Sequence, residues 1–160
     1  MKNVSIFCLT LNPEHEEKIK NLSYIPVGLG DREFSESCYT DKLGENISSK
    51  NQFYGEYTFH YWIWKNYLKN IKTEWVGFCQ YRKFFLKENV AKKVKNFDEL
   101  NQLVIKNLDT KTIKQDCILG TRFSVEEYKI SKIFKNHFKE FIKNPTKLFL
   151  KKKRNLKFHF

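Results

Sequence analysis

Polar side chains that can bind a ligand are concentrated in one loop, residues 41–51, which ends where an aromatic segment begins. The loop combines carboxylates, amides, hydroxyls and lysines with one glycine. It is too polar to be buried without partners, whereas the aromatic segment behind it is too apolar to be left in water. We therefore expect a rigid, buried element to present the loop at a surface, as proteins commonly present binding and catalytic groups.

A cation stands at the end of a second chemically informative stretch. Residues 75–81 form a short, mostly apolar run that predicts a central strand, and Arg82 and Lys83 follow it directly. In open α/β sheets, ligands bind beyond the carboxyl ends of the strands. Because a planar guanidinium grips a diphosphate better than an ammonium does, we expect Arg82 to face such a group.

Glu56 and His60 lie one turn apart in the predicted aromatic helix and hence on one of its faces. In that position they can present a carboxylate and an imidazole to a cleft. Alternatively, they pair with each other or with a hydroxyl of the core. The sequence leaves both readings open.

The elements that must position these groups alternate between strand and helix patterns. Residues 4–9 form a continuous apolar run, which predicts a strand buried on both faces and therefore an α/β sheet. The other predicted elements are a short helix at 15–21, an extended piece at 24–31, a helix at 97–108 capped by Asn96, a strand at 116–120 and a helix at 124–143. The side chains expected on the buried side of this last helix are Tyr128, Phe134, Phe138, Phe141 and Ile142.

From residue 51 the apolar period becomes helical, and the helix is expected to be largely enclosed. The side chains predicted to form its buried face are Tyr54, Tyr57, Tyr61, Trp64, Leu68 and Ile71, widened by Phe53, Trp62 and Ile63.

The composition is that of a folded protein with a strongly basic surface. At 160 residues, with 41% hydrophobic and 16% aromatic residues, the chain can bury a core. We expect one α/β domain over residues 1–145 and a basic, aromatic tail over residues 146–160. No apolar run approaches the roughly 20 residues that span a bilayer, so we expect a cytoplasmic protein.

The net charge of +12 is compatible with nucleic acid, an anionic membrane or phosphate-bearing substrates as partners. It is equally compatible with a compositional bias that only solvates the surface. The tail cations Lys151, Lys152, Lys153 and Arg154 stand beside apolar residues, and we expect them to be able to contact anionic lipid at the inner face of the membrane.

The sequence lacks the motifs of several common metal, disulfide and catalytic sites. The four cysteines (Cys8, Cys38, Cys79, Cys117) are far apart, which favours reduced and mostly buried thiols over a zinc site or disulfides. No phosphate-binding Walker loop, serine-hydrolase elbow or zinc-protease motif occurs. No residue is predicted to be a metal ligand with certainty; magnesium or manganese held by a single carboxylate such as Asp116 stays open.

Two long segments of the chain resemble a known protein family. One is GENISSKNQFYGEYTFHYWIWKN at 44–66, and the other is VGFCQYRK at 76–83, with YIPVG at 24–28, GD at 30–31 and YTD at 39–41 ahead of them. In these segments the chain resembles the DUF4422 family of bacterial capsular, exopolysaccharide and O-antigen galactofuranosyltransferases. The resemblance covers about the first 85 residues well and the remainder loosely.

Two departures from the family pattern stand out. Where the family typically has His-Tyr-Arg-Arg, this chain has Gln80-Tyr81-Arg82-Lys83, so the imidazole is missing. Family members also usually continue past this length through an Asn-Met-Phe stretch, which this chain lacks. We therefore expect the chain to be the N-terminal part of such a transferase, or a natural truncation.

The resemblance implies transfer of galactofuranose from a UDP-sugar donor to a glycan on a lipid carrier, in a nucleotide-sugar-binding fold similar to the GT-A type. Such a reaction needs stabilisation of a leaving diphosphate and, with inversion, a carboxylate base. Arg82, assisted by Lys50 or Lys83, suits the diphosphate. The base candidates are Asp31, Asp41, Glu45 and Glu56.

Amides and hydroxyls suit the hydroxyls of a sugar or uridine, and aromatic rings suit stacking on a sugar or base. The remaining residues expected to bind substrate are Gly30, Glu45, Asn46, Ser48, Asn51, His60, Trp64 and Tyr81. Packing in the core is the competing interpretation for Trp62 and Trp64.

Two rival functions come from other classes. A basic, aromatic domain can hold single-stranded nucleic acid by stacking and charge. Against that reading, the basic residues cluster after Tyr128 and not among the aromatics, so we expect no nucleic-acid partner. The other rival is an inactive, truncated paralogue that keeps only the fold.

Overall fold

A four-stranded, all-parallel sheet forms the centre of the protein. The computed structural model describes residues 3–87 and 94–120, together with Phe138 and Ile142. The strands are β1 (Val4–Thr10), β2 (Ile25–Gly28), β3 (Tyr39–Thr40) and β4 (Trp75–Gln80), and they lie in the order β3-β2-β1-β4. The predicted α/β class is confirmed.

Strand β1 is the middle of this sheet and the best buried of its strands. Phe7 lies opposite Ile25 of β2 on one side and Phe78 of β4 on the other. All of β1 except Ser5 is buried, as the unbroken apolar run predicted.

The helical elements are short and carry several capping signals of the sequence. They are α1 (Glu16–Asn21), α2 (Asn51–Tyr54), α3 (Tyr57–Trp62) and α4 (Phe97–Leu103). A π-helical turn, Ile63–Tyr67, and a 3-10 turn, Leu68–Asn70, continue α3. At the start of α4 the Asn96 side chain accepts a hydrogen bond from the Glu99 amide at 2.9 Å, so the predicted cap is confirmed.

The sheet buries a separate apolar cluster on each face. On one face Phe7, Leu9 and Val27 pack against Phe59 and Trp62 of α3. On the other, Ile6 and Cys8 pack with α1 and with Val104 after α4. Both faces of the sheet are therefore covered, as parallel sheets require.

The aromatic helix is not largely enclosed, contrary to expectation. Trp62 and Ile63 are buried as predicted, together with Phe59, which the pattern did not indicate. The predicted core residues Phe53, Tyr54, Tyr57, Trp64 and Leu68 are exposed. Gly55, with φ +54°, also interrupts the helix between α2 and α3. Aromatic residues occupy both faces of this segment, so hydrophobic periodicity cannot indicate which face meets the sheet.

Three smaller expectations differ from the structure. Residues 116–120 are irregular and do not form a strand, whereas the two-residue strand β3 was not predicted. The helix expected over 97–108 ends at Leu103, because Val104 turns to an extended conformation and bridges to Leu86. Cys8, Cys38 and Cys79 are buried free thiols as expected, but Cys117 is exposed.

The chain divides into two compact units, Met1–Ile118 and Leu119–Phe160. In the second unit Phe138 and Ile142 are helical and exposed, although the pattern of the helix predicted at 124–143 placed both on its buried side. The rest of that helix and the tail cations at 151–154 lie outside the described residues. Within the described part of the chain, no helix combines the length and apolar character needed to cross a membrane.

Alanine substitution distinguishes the two faces of α3. Phe59→Ala removes a ring that is 0% exposed, so we expect the free energy of unfolding to fall by about 3–5 kcal/mol. Tyr57→Ala removes a ring that is 63% exposed on the same helix, and we expect a change within about 0.5 kcal/mol. Urea denaturation of both variants measures the difference. Equal losses would show that the outer face is buried as well.

Candidate functional site

A cleft opens where the order of strands in the sheet reverses. From β1 the chain proceeds to β2 and β3 on one side and then returns to β4 on the other. Such a reversal leaves a crevice beyond the carboxyl ends of the two strands that flank it, here β1 and β4. The cleft at this position has a volume of about 670 Å³. Its polar lining side chains are Thr10, Asn12, His15, Arg32, Asn51, Glu56, Gln80, Tyr81 and Arg82.

The turn after β1 forms one wall and is held by its own side chains. The backbone N–H of Asn12 donates to the Thr10 hydroxyl at 3.1 Å, and the same hydroxyl lies 2.8 Å from Nδ1 of His15. Asn12 also accepts a hydrogen bond from a guanidinium nitrogen of Arg32 at 3.2 Å. These contacts fix an imidazole and a cation at the end of the central strand.

His15 and Tyr81 form a flat aromatic surface in the cleft. Their ring centroids are 3.7 Å apart, with an interplanar angle of 11°. Partial burial is the main cause that lowers the pKa of His15 below its ordinary value of 6.5; the Lys18 and Arg82 charges add to it and Glu14 opposes it. The imidazole is therefore mostly neutral at pH 7, and it can stack without adding a charge.

Arg82 has a backbone conformation that few side chains adopt. Its φ is +100°, within a tight turn in which the Lys83 amide donates to the Gln80 carbonyl at 2.8 Å. A non-glycine residue in this region costs of order 1–3 kcal/mol, and such strain concentrates at functional sites. Among the residues that the structure describes, no carboxylate forms a salt bridge with Arg82. Its exposed guanidinium is thus available to an anion.

Glu56 brings a carboxylate to the opposite wall of the cleft. It follows Gly55 at the break in the helix, and the Asn51 side chain stabilises that break by donating to the Gly55 carbonyl at 3.0 Å and to the Thr58 hydroxyl at 3.1 Å. The Gln80 amide donates a hydrogen bond to the Glu56 carboxylate. Gln80, which stands where the family pattern has histidine, therefore holds this carboxylate in place. The imidazole of the cleft comes from His15, in the 3-10 turn that follows the neighbouring strand β1.

The loop ahead of α2 is attached to the aromatic segment, as the sequence suggested. The Trp62 indole donates to the Leu43 carbonyl at 2.6 Å. Asn66 accepts from the Glu45 amide at 3.1 Å and donates to the Glu45 carbonyl at 2.8 Å. The inner side of the aromatic segment thus fixes the loop to the sheet.

The amide and hydroxyl groups of this loop are used within it. Asn46 donates to the carbonyls of Lys42 and Gly44, and its side-chain oxygen accepts from the Ser48 amide and hydroxyl. Neither Asn46 nor Ser48 lines the cleft that contains Arg82. Their geometry is that of side chains that hold a loop in shape.

The structure therefore brings four of the predicted site residues together: Asn51, Glu56, Tyr81 and Arg82. The others lie outside the lining of this cleft. Gly30 is half-buried in the turn after β2, and Asp31, Lys50, Trp64 and Lys83 are exposed. Glu45 is exposed as well and accepts from the Tyr61 hydroxyl at 2.6 Å and from Lys65 at 3.1 Å.

Two further predicted residues, His60 and Asp41, lie away from this cleft. His60 is half-buried, its ring lies 4.4 Å from the Phe78 ring, and burial lowers its pKa, with Glu56 opposing. Asp41 follows β3 and is 1% exposed. Among the residues that the structure describes, neither carboxylate oxygen of Asp41 has a hydrogen-bond partner, and the same holds for Nε2 of His60.

Sequence reasoning missed five polar residues of the cleft: Thr10, Asn12, His15, Arg32 and Gln80. The rule that identified Arg82 at the end of β4 applies equally to Thr10 and Asn12 at the end of β1. His15 and Arg32 enter from loops, and no local pattern marks them.

No group of three or more histidine, cysteine, aspartate or glutamate side chains is arranged to hold a metal ion within residues 3–87 and 94–120. Asp116 lies beside a second cavity, of about 520 Å³, which is lined mainly by apolar side chains from the first halves of β1 and β4 and from residues 105–118.

The chain matches the family described as a domain of unknown function, DUF4422, over residues 10–157. Because this match covers nearly the whole sequence, the chain belongs to that family, as its motifs indicated. Comparison with curated proteins and with solved structures gave no match.

Glycine at position 82 separates backbone strain from side-chain function. Arg82→Gly removes the guanidinium and relieves the positive φ, whereas Arg82→Ala removes the guanidinium and keeps the strain. We expect the glycine variant to be more stable than the alanine variant by about 1 kcal/mol or more, because only glycine adopts this conformation freely. Thermal denaturation measures both. An alanine variant at least as stable as the glycine variant would exclude strain at this position.

Proposed function

We propose that the chain is a glycosyltransferase, or the N-terminal part of one, that uses a nucleotide-diphosphate sugar as donor. The observation that carries this proposal is the cleft between the ends of β1 and β4, in which a strained Arg82, with no salt-bridge partner in the described part of the chain, faces the same space as Glu56. Its volume of about 670 Å³ is within the roughly 300–1,000 Å³ typical of small-molecule sites.

In this proposal the two arginines of the cleft bind the diphosphate. Glycosyl transfer breaks the bond between the anomeric carbon and the diphosphate oxygen, so negative charge grows on the leaving group. Arg82 and Arg32 supply guanidinium groups that stabilise this charge and need no proton transfer to do so. The Arg32 contact with Asn12 holds its guanidinium beside the end of β1.

Glu56 is the proposed general base. An acceptor hydroxyl attacks the anomeric carbon while its proton passes to the carboxylate, which leaves a new glycosidic bond and a free nucleoside diphosphate. The Gln80 amide donates to this carboxylate and therefore orients it. The stacked His15 and Tyr81 rings offer an apolar face on which a nucleobase or a sugar ring can lie.

The finer identity of the reaction rests on the family resemblance. It comprises galactofuranose as the sugar, UDP as the nucleotide, a lipid-linked glycan as the acceptor, a GT-A-like fold, and action at the inner face of the cytoplasmic membrane in the assembly of capsule, exopolysaccharide or O-antigen. The cleft supports the part of the proposal that concerns a bound diphosphate and a general base. Its geometry does not indicate which hexose is transferred.

Ligand-induced stabilisation tests the proposal. UDP or UDP-galactofuranose at about 100 times its dissociation constant adds about 2.7 kcal/mol to the free energy of unfolding, which raises the melting temperature by several degrees. We expect Arg82→Ala to abolish this rise. Glu56→Gln should keep it, because the substitution preserves shape, while transfer falls by about 10²–10⁴-fold.

Lys83→Ala is the matched control, since it removes the adjacent cation from outside the cleft lining. It should leave the ligand-induced rise unchanged. An unmoved melting curve with every nucleotide sugar, or equal losses in Arg82→Ala and Lys83→Ala, would refute the assignment of the cleft.

A further inference from the structure

The outer face of the segment that continues α3 carries an exposed aromatic stripe, defined as Tyr57, Tyr61, Trp64 and Leu68. Tyr57 is 63% exposed, Trp64 60% and Leu68 48%, and Tyr61 is half-buried. The four-residue spacing within α3 places Tyr57 and Tyr61 on one side of the helix, and the Tyr61 and Trp64 rings are in contact with centroids 5.7 Å apart. Leu68 begins the 3-10 turn that follows the π-helical turn.

The stripe is distinct from the face that stabilises the fold. Phe59, Trp62 and Ile63 on the opposite side of the same segment bury themselves against the sheet. The stripe contributes nothing to that core, yet it presents a continuous row of large apolar side chains to solvent. Exposed patches of this kind mark sites that meet another surface.

The charge of the segment indicates the nature of that surface. Between Tyr57 and Thr73 there are three lysines, Lys65, Lys69 and Lys72, and no acidic residue. The Lys65 ammonium lies 4.3 Å from the centre of the Trp64 ring and 3.1 Å from Glu45, so it is partly neutralised. Lys69 and Lys72 are exposed, and neither forms a salt bridge among the described residues. The partner surface must therefore tolerate cations and bury aromatic rings.

We propose that this stripe docks the protein onto an anionic lipid surface, with Tyr57, Trp64 and Leu68 in the interfacial region and Lys69 and Lys72 at the phosphate headgroups. Tyrosine and tryptophan favour the boundary between headgroups and acyl chains, because one end of each is apolar and the other polar. Exposed aromatic rings followed closely in the sequence by exposed lysines are typical of segments that lie at a membrane interface.

A glycan is a weaker candidate for the same stripe. Sugar rings stack on aromatics but also need amides or carboxylates for their hydroxyls. Asn66, two residues after Trp64, is already bonded to the Glu45 and Trp62 carbonyls, and the Glu45 carboxylate is bonded to Tyr61 and Lys65. The docking proposal does not depend on transferase chemistry.

Sedimentation of the full chain with lipid vesicles tests the proposal. We expect binding to vesicles that contain phosphatidylglycerol and much weaker binding to pure phosphatidylcholine. The double variant Tyr57→Ser with Trp64→Ser should weaken binding by at least about tenfold, and Lys69→Ala with Lys72→Ala should weaken it and reduce its salt dependence. The matched control, Lys111→Ala with Lys114→Ala, removes two exposed lysines elsewhere and should bind like the natural chain.

Tryptophan fluorescence locates the contact. Brominated lipid should quench emission in the natural chain, and Trp64→Phe should remove most of that quenching, since Trp62 is buried and Trp75 is half-buried in β4. Unchanged melting temperatures confirm that the exposed substitutions leave the fold intact.

Four outcomes would overturn the proposal. The first is no binding to anionic vesicles at low salt, and the second is binding that the Tyr57 and Trp64 double variant retains in full. The third is binding that is lost only when Lys151, Lys152, Lys153 and Arg154 are replaced. The fourth is self-association of the chain, abolished by the double variant, without vesicle binding, which would assign the stripe to a second copy.

Discussion

The parallel pairing of β1 with β4 is the constraint on which the rest of the structure depends. Parallel neighbours cannot be joined by a hairpin, so the chain must leave the sheet after β3, cross one of its faces and return at the starting edge. The crossing segment has to cover the apolar face formed by Phe7, Leu9 and Val27. An aromatic segment does so, because its large rings fill the layer with few residues.

The same crossing accounts for the position of the cleft. By returning on the far side of β1, the chain reverses the strand order and opens a crevice between the ends of β1 and β4. The break at Gly55 then brings Glu56 to one wall, while the tight turn after β4 brings Arg82 to another. The Glu56 carboxylate and the Arg82 guanidinium thus face the same space although they are 26 residues apart in the sequence.

The crossing segment also has an outer face, and its two sides meet different surroundings. Phe59, Trp62 and Ile63 join the core, and Trp62 additionally secures the polar loop through the Leu43 carbonyl. The opposite side exposes Tyr57 and Trp64. One stretch of sequence therefore stabilises the sheet, shapes the approach to the cleft and supplies a second surface. This multiple use explains why it is aromatic all round.

Much of the fold was predictable because its signals are local. The unbroken apolar run of β1 and the Asn96 cap of α4 each have one physical interpretation, and both are as predicted. The strand expected at residues 116–120 is absent because a short apolar run does not by itself provide a pairing partner. The expected enclosure of the aromatic helix was wrong for its outer face, since periodicity cannot show which of two apolar faces meets the sheet.

The site was partly predictable for the same reason. Arg82 follows from the rule on strand ends, and Glu56 from its place on the aromatic helix. Asn51 and Tyr81 were expected from the chemistry of a sugar-nucleotide ligand and the family resemblance, and both line the cleft. Asn46 and Ser48 have the right chemistry for a sugar, but the loop uses their hydrogen-bonding groups internally. His15 and Arg32 come from loops, and only the tertiary arrangement brings them to the cleft.

The most direct test of the central claim is a crystal structure of the chain grown with UDP. The account predicts a nucleotide in the cleft between the ends of β1 and β4, with diphosphate oxygens within about 3 Å of the Arg82 guanidinium. A nucleotide bound at the loop of Asn46 and Ser48, or a cleft that stays empty at saturating UDP, would contradict it.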